Sequence, residues 1–151
     1  MSGSDVLLAG RMIWWRISLP IVLRRRPLRD VVDRGGRGRR AASKTAEASA
    51  QRFARRLWRS STGTCLERSV ALYLELRRLG AAPRLVLGLK PSSDRVGHAW
   101  VELGGEPVLE SHDPRSSYTE LLAFEADGSV AGPDDVSGMN VRPQRARQLR
   151  G

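Results

Sequence analysis

The sequence predicts an α+β protein in which helices fill the N-terminal half and a small antiparallel sheet follows. Three patterns predict this class. Apolar residues recur at three- and four-residue steps as far as Leu79, a short apolar run follows Pro83, and two more short runs flank Gly104-Gly105. With 151 residues, the chain is long enough for one domain with one modest core.

Basic charge is concentrated at the N-terminal end. Residues 1–60 carry 15 basic and 4 acidic side chains, whereas residues 61–151 carry 11 and 12. The net charge of +10 therefore comes from the first part of the chain. This distribution excludes a general polyanion-binding function for the second part.

Residues 1–42 are predicted to form a basic helical segment followed by a Gly/Arg linker at residues 33–40. The apolar stretch at residues 12–23 is interrupted by Arg16 and Pro20. Because a spanning helix needs roughly 18–20 apolar residues, we expect neither a transmembrane helix nor a cleavable signal. We expect this helix to pack its apolar side on the core, with contact to a membrane surface as the alternative.

A second helix is predicted over residues 43–58, where apolar side chains follow helical spacing and Ser43 is suited to the N-cap. The opposite side of this helix is basic. We define the basic face of this helix as Arg52, Arg55, Arg56 and Arg59.

A third helix, over residues 65–79, carries the only cysteine of the chain. Thr64 and Glu67 have the spacing of a capping box, and Gly80 suits the position after the helix. Cys65 is then the first helical residue, where free N–H groups and the helix dipole lower the pKa of a thiol. The position favours a nucleophile over the alternative, a cysteine that only fills space.

The cysteine content also indicates the cellular compartment and the kinds of metal site that the chain can form. One cysteine forms no intramolecular disulfide and is typical of a reducing, cytoplasmic protein. With His98 and His112 as the only histidines, the chain lacks the ligands for a four-coordinate Cys/His zinc site. We therefore expect no metal.

The sheet is predicted from a buried strand at residues 84–90, a loop at 91–97, and a hairpin of residues 98–103 and 106–110 around Gly104-Gly105. His98 begins the hairpin and is the candidate base for the thiol. Trp100 is expected in the core and His112 on the surface.

The group that orients His98 depends on the hairpin turn. A two-residue turn places Ser111 opposite His98, whereas a three-residue loop places Glu110 there. Because Gly105 suits the left-handed position of a three-residue loop, we predict Glu110, with Asp113 as the alternative. Residues 117–124 add a strand or a short helix, and residues 126–151, rich in Gly, Asp and Pro with a basic end, are expected to be weakly ordered.

Several motifs together resemble the leader peptidases of lasso-peptide biosynthesis, which are transglutaminase-like cysteine proteases. The similarity covers roughly residues 43–125, and the chain looks like the stand-alone peptidase half of a split B protein. It rests on Thr64-Cys65-Leu66-Glu67-Arg68-Ser69, Leu76-Arg77-Arg78-Leu79-Gly80, Leu85-Val86-Leu87-Gly88 and His98-Ala99-Trp100-Val101-Glu102.

The resemblance implies a papain/transglutaminase-like core and a catalytic set of Cys65, His98 and Glu110. The third residue of the family is usually an aspartate twelve positions after the histidine, where this chain has Glu110. Cys65 would attack the bond between leader and core peptide, and His98 would act as base and then as acid.

The resemblance also implies partners. These are the leader of a precursor peptide, a small leader-recognition protein and an ATP-dependent cyclase that forms the lactam ring, with no nucleic acid and no cofactor. The backbone N–H of Cys65 is a candidate oxyanion donor, and residues 60–64 would supply a second. Two other functions remain as alternatives: a basic module that binds nucleic acid or anionic membrane, and an acyl transferase that uses the same thiol with an amine acceptor.

Overall fold

The computed structural model describes residues 3–38, 41–59 and 64–132. Within these ranges, helices precede a five-stranded sheet, which confirms the predicted α+β class. The helices are α1 (Gly3–Arg25), α2 (Leu28–Arg34), α3 (Lys44–Leu57) and α4 (Cys65–Leu79), and the strands are β1 (Pro83–Lys90), β2 (Ser93–Leu103), β3 (Glu106–Val108), β4 (Thr119–Phe124) and β5 (Val130–Ala131), with a 3₁₀ turn at Pro114–Ser116.

Helix α4 lies at the centre of the fold. Its capping box forms as predicted, since Thr64 and Glu67 exchange side-chain and backbone hydrogen bonds, and Gly80 ends the helix in the left-handed conformation. Every residue of α4 from Ser69 to Arg77 is buried. The helix packs on α1 and α3 as well as on β1 and β2, so it connects the helical layer to the sheet.

The sheet is antiparallel, with the strand order β3-β2-β1-β4-β5. Alternate residues of each strand point to opposite sides. On one side, Leu85, Val101 and Phe124 join the main core with the helices. On the other side, a smaller cluster forms around Trp100, which is 1% exposed, as expected for a core residue.

The hairpin turn differs from our prediction. Leu103 pairs with Glu106, so the turn contains only Gly104 and Gly105, and the predicted three-residue loop is wrong. Both glycines have positive φ, +60° and +82°. A two-residue turn with two left-handed residues matches the twist of antiparallel strands, and glycine adopts it without steric cost.

The predicted loop at residues 91–97 is also wrong for most of its length. Strand β2 already begins at Ser93, and Gly97 pairs with Leu89 of β1. Polar and small residues in this stretch indicated a loop because they avoid burial. The backbone of this stretch nevertheless pairs with β1, which extends the hairpin.

Helix α1 is longer than the sequence pattern indicated. It continues through Pro20, and its residues Val6–Arg25 form a helix long and apolar enough to cross a membrane by length and composition, with a mean hydropathy of 1.5. Our expectation that no segment reaches this length is therefore corrected, because the apolar residues before Arg11 extend the stretch. Only 17% of the stretch is buried.

One side of α1 packs on the core, where Leu8, Met12 and Leu19 are buried. Arg11 donates two hydrogen bonds through Nε, of 3.0 and 3.2 Å, to the carboxylate of Glu75 on α4, which is completely buried. A third bond of 2.5 Å runs from its Nη2. This ion pair fixes α1 to the central helix.

Ordered structure continues beyond residue 126, where we expected weak order to begin. Strand β5 pairs with β4, and the buried Arg77 donates to the carbonyl oxygen of Ala126 at 2.9 Å and to that of Val32 at 2.7 Å. Strand β5 therefore completes the sheet, and Arg77 ties α2 to the chain that follows β4. Residues 133–151, with the basic C-terminal end, lie outside the described residues.

Candidate active site

The N-terminus of α4 presents the Cys65 thiol, which is half-buried. The capping box satisfies two backbone donors, since Glu67 N donates to Thr64 Oγ1 and Thr64 N donates to Glu67 Oε2, both at 3.2 Å. As the first helical residue, Cys65 has a backbone N–H without an intrahelical acceptor. The local sequence thus places a nucleophile and a free donor at one point.

His98 approaches the thiol from β2. It forms a hydrogen bond with Cys65, and its Nε2 lies 2.9 Å from Oε2 of Glu110. Two aromatic rings fix the imidazole plane: Trp100, stacked with centroids 6.1 Å apart, and Tyr118, tilted at 5.1 Å. The structure therefore brings together the three residues predicted as a catalytic set.

The hydrogen bond between Cys65 and His98 favours a charged pair. It lowers the pKa of the Cys65 thiol from 9.0, and the backbone N–H groups of Ala99 and Leu66 act in the same direction, against the effect of partial burial. The same bond, with that to Glu110, raises the pKa of His98 to about 9. Both shifts favour the charged pair, a thiolate and an imidazolium, over the neutral pair.

Glu110 contacts His98 because of a backbone conformation that strand register does not predict. The two-residue turn would place Ser111 opposite His98 if β3 continued, but β3 ends at Val108. Leu109 has a φ of +64°, which is uncommon for a residue with a side chain. This turn of the backbone ends the strand and presents Glu110 to the imidazole, so the predicted contact forms for a different reason.

Arg68 is a site residue that the sequence argument missed. Its Nη2 donates to Oε1 of Glu110 at 2.6 Å, so both carboxylate oxygens are occupied, one by Arg68 and one by His98. Arg68 follows Cys65 by three residues and lies on the same side of α4. That spacing was the available signal.

A buried hydrogen bond aligns the nucleophile helix with the histidine strand. Ser69 Oγ, one turn after Cys65, donates to the carbonyl oxygen of Ala99 at 2.8 Å. Opposite His98, β1 contributes Gly88, where an added Cβ would lie 2.9 Å from the Trp100 ring. Glycine at this position lets the ring that supports His98 pack on the sheet.

The three residues line open clefts. One cleft of about 460 Å³ lies on the Cys65 side and is bounded by Trp58, Thr64, Arg68 and Leu109. A second, of about 340 Å³, lies on the far side of His98 and Glu110, towards Lys90, His112 and Tyr118. Together they extend across both sides of the imidazole.

Trp58 is a second residue that the sequence argument missed. It is 9% exposed, lines the cleft on the Cys65 side, and its Nε1–H has no acceptor among the described residues. A buried donor without a partner is costly, and a substrate oxygen would satisfy it. Of the predicted second donor segment, residues 60–63 lie outside the described residues, and the Thr64 N–H is used in the cap.

Asp113, the alternative orienting residue, is engaged elsewhere. Its carboxylate accepts from the backbone and side chain of Arg115 at 2.9 Å, which lowers its pKa and caps the 3₁₀ turn. His112 is exposed, as predicted, and lies 3.1 Å from Ser111 Oγ. Throughout the described ranges, no group of three or more His, Cys, Asp or Glu side chains is arranged to hold a metal ion.

Comparison with known proteins identifies the family. A model of the transglutaminase-like superfamily matches residues 6–123, which is well over half of the chain and includes α4, strands β1 to β3, and nearly all of α1 and β4. Neither the curated protein sequences nor the solved structures contain a significant match. The chain belongs to the transglutaminase-like superfamily, which includes cysteine peptidases and acyl transferases.

Proposed function

We propose that this protein is a cysteine peptidase that removes the leader from a ribosomally made precursor of a lasso peptide. The observation that carries the proposal is the arrangement of thiol, imidazole and carboxylate, with Cys65 and Glu110 both bonded to His98. The four sequence blocks that resemble lasso-peptide leader peptidases support the choice of substrate, and the superfamily supports the thiol chemistry.

The mechanism follows from the charged pair. The Cys65 thiolate attacks the carbonyl carbon of the scissile bond, and negative charge develops on the oxygen. Among the described residues, the backbone N–H of Cys65 and the indole N–H of Trp58 are candidate donors to that oxygen. His98 then transfers its proton to the leaving amine, which frees the amino terminus of the core peptide and leaves the leader as a thioester.

Hydrolysis of the thioester completes the cycle. His98, now neutral, removes a proton from water, the resulting hydroxide attacks the thioester, and Cys65 leaves as the thiolate while His98 is again charged. Glu110 holds the ring during both steps, because its Oε2 stays at Nε2 and leaves Nδ1 for the thiol. The leader is released as a carboxylic acid.

An acyl transferase would share the first step and differ in the second. If an amine replaced water, the thioester would give an amide instead of an acid. The open cleft of about 460 Å³ beside Cys65 leaves the thioester accessible to water, which supports hydrolysis. The proposal includes a cytoplasmic location and two partners, a small leader-recognition protein and an ATP-dependent cyclase that consumes the freed core peptide.

The test is to incubate the protein with a candidate lasso-peptide precursor, with and without the leader-recognition protein, and to identify fragments by mass spectrometry. We expect cleavage at one bond, and loss of cleavage in Cys65→Ala and His98→Ala proteins that remain folded by circular dichroism. His112→Ala is the matched control and should keep activity. Cleavage by Cys65→Ala would refute the proposal.

The same assay separates the acyl-transfer alternative. A primary amine such as glycine methyl ester is added at high concentration, and the mass of the leader fragment is measured by mass spectrometry. We expect the free acid as the main product even in the presence of the added amine. A leader fragment that appears only as an amide would instead identify an amine-accepting transferase.

A further inference from the structure

Helix α1 has a second apolar side that faces away from the core. We call the outer stripe the six large apolar residues of α1 that are between 47% and 66% exposed: Val6, Leu7, Ile13, Trp14, Ile17 and Ile21. Their spacing of one, three, four and six residues places them along one side of the helix. Nothing in residues 3–38, 41–59 and 64–132 covers this stripe.

The stripe is large for the surface of a protein with so little apolar material. Over the 16 residues from Val6 to Ile21, a helix rises by about 22 Å. A continuous row of exposed Ile, Leu and Trp side chains of this length indicates an interaction surface, whereas single exposed apolar residues are ordinary.

The charges around the stripe indicate the chemistry of its partner. Residues 6–29 contain six arginines and no aspartate or glutamate. Arg24 and Arg25 continue the outer side directly after Ile21, and Arg26 and Arg29 follow, all four exposed. An apolar stripe with a tryptophan and an arginine cluster at one end is the pattern of a helix that binds an anionic lipid surface.

The contacts of the inner side determine the orientation. Met12 and Leu19 are completely buried against the core, and Arg11 is paired with the buried Glu75. A helix that crossed the bilayer would have to give up these contacts and leave the Glu75 carboxylate unpaired, which is costly. The helix therefore remains on the folded body and offers only its outer side.

We propose that this protein docks on anionic membranes through α1. The helix lies parallel to the bilayer surface, the outer stripe enters the boundary between headgroups and acyl chains, and Arg24, Arg25, Arg26 and Arg29 contact lipid phosphates. The superfamily match and the thiol chemistry do not require such docking, so the proposal is independent of the proposed function.

Sedimentation of the full-length protein with lipid vesicles tests the docking. We expect binding to phosphatidylcholine vesicles that contain about 30% phosphatidylglycerol, and at least about tenfold weaker binding to pure phosphatidylcholine. The double variant Trp14→Gln/Ile17→Gln should lose binding by about tenfold or more, because two anchors are removed. Leu121→Gln, which alters a residue of β4 that is 47% exposed, is the matched control and should bind like the unmodified protein.

A second variant separates charge from apolar insertion. Arg24→Gln/Arg25→Gln/Arg26→Gln should bind vesicles with and without phosphatidylglycerol almost equally. Cys65→Ala should bind anionic vesicles as the unmodified protein does, which separates this test from that of peptidase activity. Both variants are checked for folding by circular dichroism.

Three results would overturn the proposal. The first is no association with anionic vesicles at low salt, and the second is unchanged association of the folded Trp14→Gln/Ile17→Gln variant. The third is a dimer in solution, measured by light scattering, that this variant abolishes while vesicle binding is absent. That result would assign the outer stripe to a second copy of the chain.

Discussion

The pKa of His98, raised to about 9 by its bonds to Cys65 and Glu110, sets the alkaline end of the pH range in which the proposed peptidase works. The imidazolium must still carry its proton when the amine leaves. The Cys65 pKa, lowered from 9.0, sets the acid end, because the thiolate is the attacking form. We therefore expect kcat/KM to follow a bell-shaped pH profile whose alkaline limb lies near pH 9.

Replacement of Glu110 tests the cause of this limb. In Glu110→Gln the carboxylate no longer stabilises the imidazolium, so the pKa of His98 falls and the alkaline limb moves to lower pH. Asp113→Asn removes a nearby carboxylate that is paired with Arg115 and should leave the limb unchanged. An alkaline limb at the same pH in Glu110→Gln would contradict the orienting role of this residue.

Sequence reasoning selected Cys65 from its capping box and His98 from the predicted start of a hairpin strand, although the structure places His98 inside β2. It selected Glu110 through an incorrect register. The left-handed φ of Leu109 brings Glu110 to the imidazole, and a leucine does not indicate such a conformation. The spacing of Arg68 from Cys65 places it on the same side of α4, but its contact with Glu110 and the place of Trp58 in the cleft depend on tertiary structure.

At the scale of elements, the bond from Ser69 to the Ala99 carbonyl holds α4 against β2 next to the site. Ser69→Ala leaves a buried carbonyl oxygen unpaired, which costs about 1–3 kcal/mol of the free energy of unfolding. Because the helix then shifts relative to the strand, kcat should fall more than KM changes. Urea unfolding and steady-state kinetics measure both effects.

Ser18→Ala is the control, since Ser18 Oγ bonds to the Trp14 carbonyl on the outer part of α1. It should change neither stability nor kcat appreciably. Equal kcat values for Ser69→Ala and the unmodified protein would show that this bond does not align the site.

The basic face of α3 remains exposed in the structure, with Arg52, Arg55, Arg56 and Arg59 all on the surface. If this face binds an acidic leader or a partner, replacement of the four arginines by glutamine should raise KM and weaken partner binding, while kcat stays the same. Measurements at two salt concentrations should give a smaller salt dependence for the variant. Unchanged affinity for the leader and for the partner would show that the basic face is only a solvated surface.

The elements themselves were largely predictable from local patterns. The bounds of α4 follow from its cap and from Gly80, and β1 follows from its apolar run. Strand β2 was predicted too short, because polar and small residues indicate exposure to solvent but do not show whether the backbone pairs with another strand. Helix α1 was predicted too short for a related reason: two arginines and a proline within a helical stretch do not end it when one side is packed on a core.

At the scale of the whole molecule, the ion pair of Arg11 and Glu75 joins the N-terminal helix to the centre of the fold. Arg11→Met leaves a carboxylate that is completely buried without a partner, which costs about 3–5 kcal/mol. The double variant Arg11→Met/Glu75→Leu removes both charges and should recover most of this loss. Unfolding by urea measures the two free energies.

The two variants together show whether the ion pair of Arg11 and Glu75 contributes to the free energy of unfolding. Equal destabilisation in the single and double variants would mean that the bonds themselves stabilise the fold. Recovery in the double variant would mean that the pair mainly fixes the position of α1, since an apolar replacement of similar volume fills the same space. We expect recovery.

The contact of Glu110 with Arg68 has a consequence for how protons move during catalysis. Arg68 and His98 each contact one oxygen of Glu110, so the carboxylate lies between two donors. If Glu110 only orients the ring, each chemical step moves a single hydron. In mixtures of H₂O and D₂O, kcat should then fall linearly with the deuterium fraction, whereas a curved proton inventory would show that the carboxylate shares in the transfer.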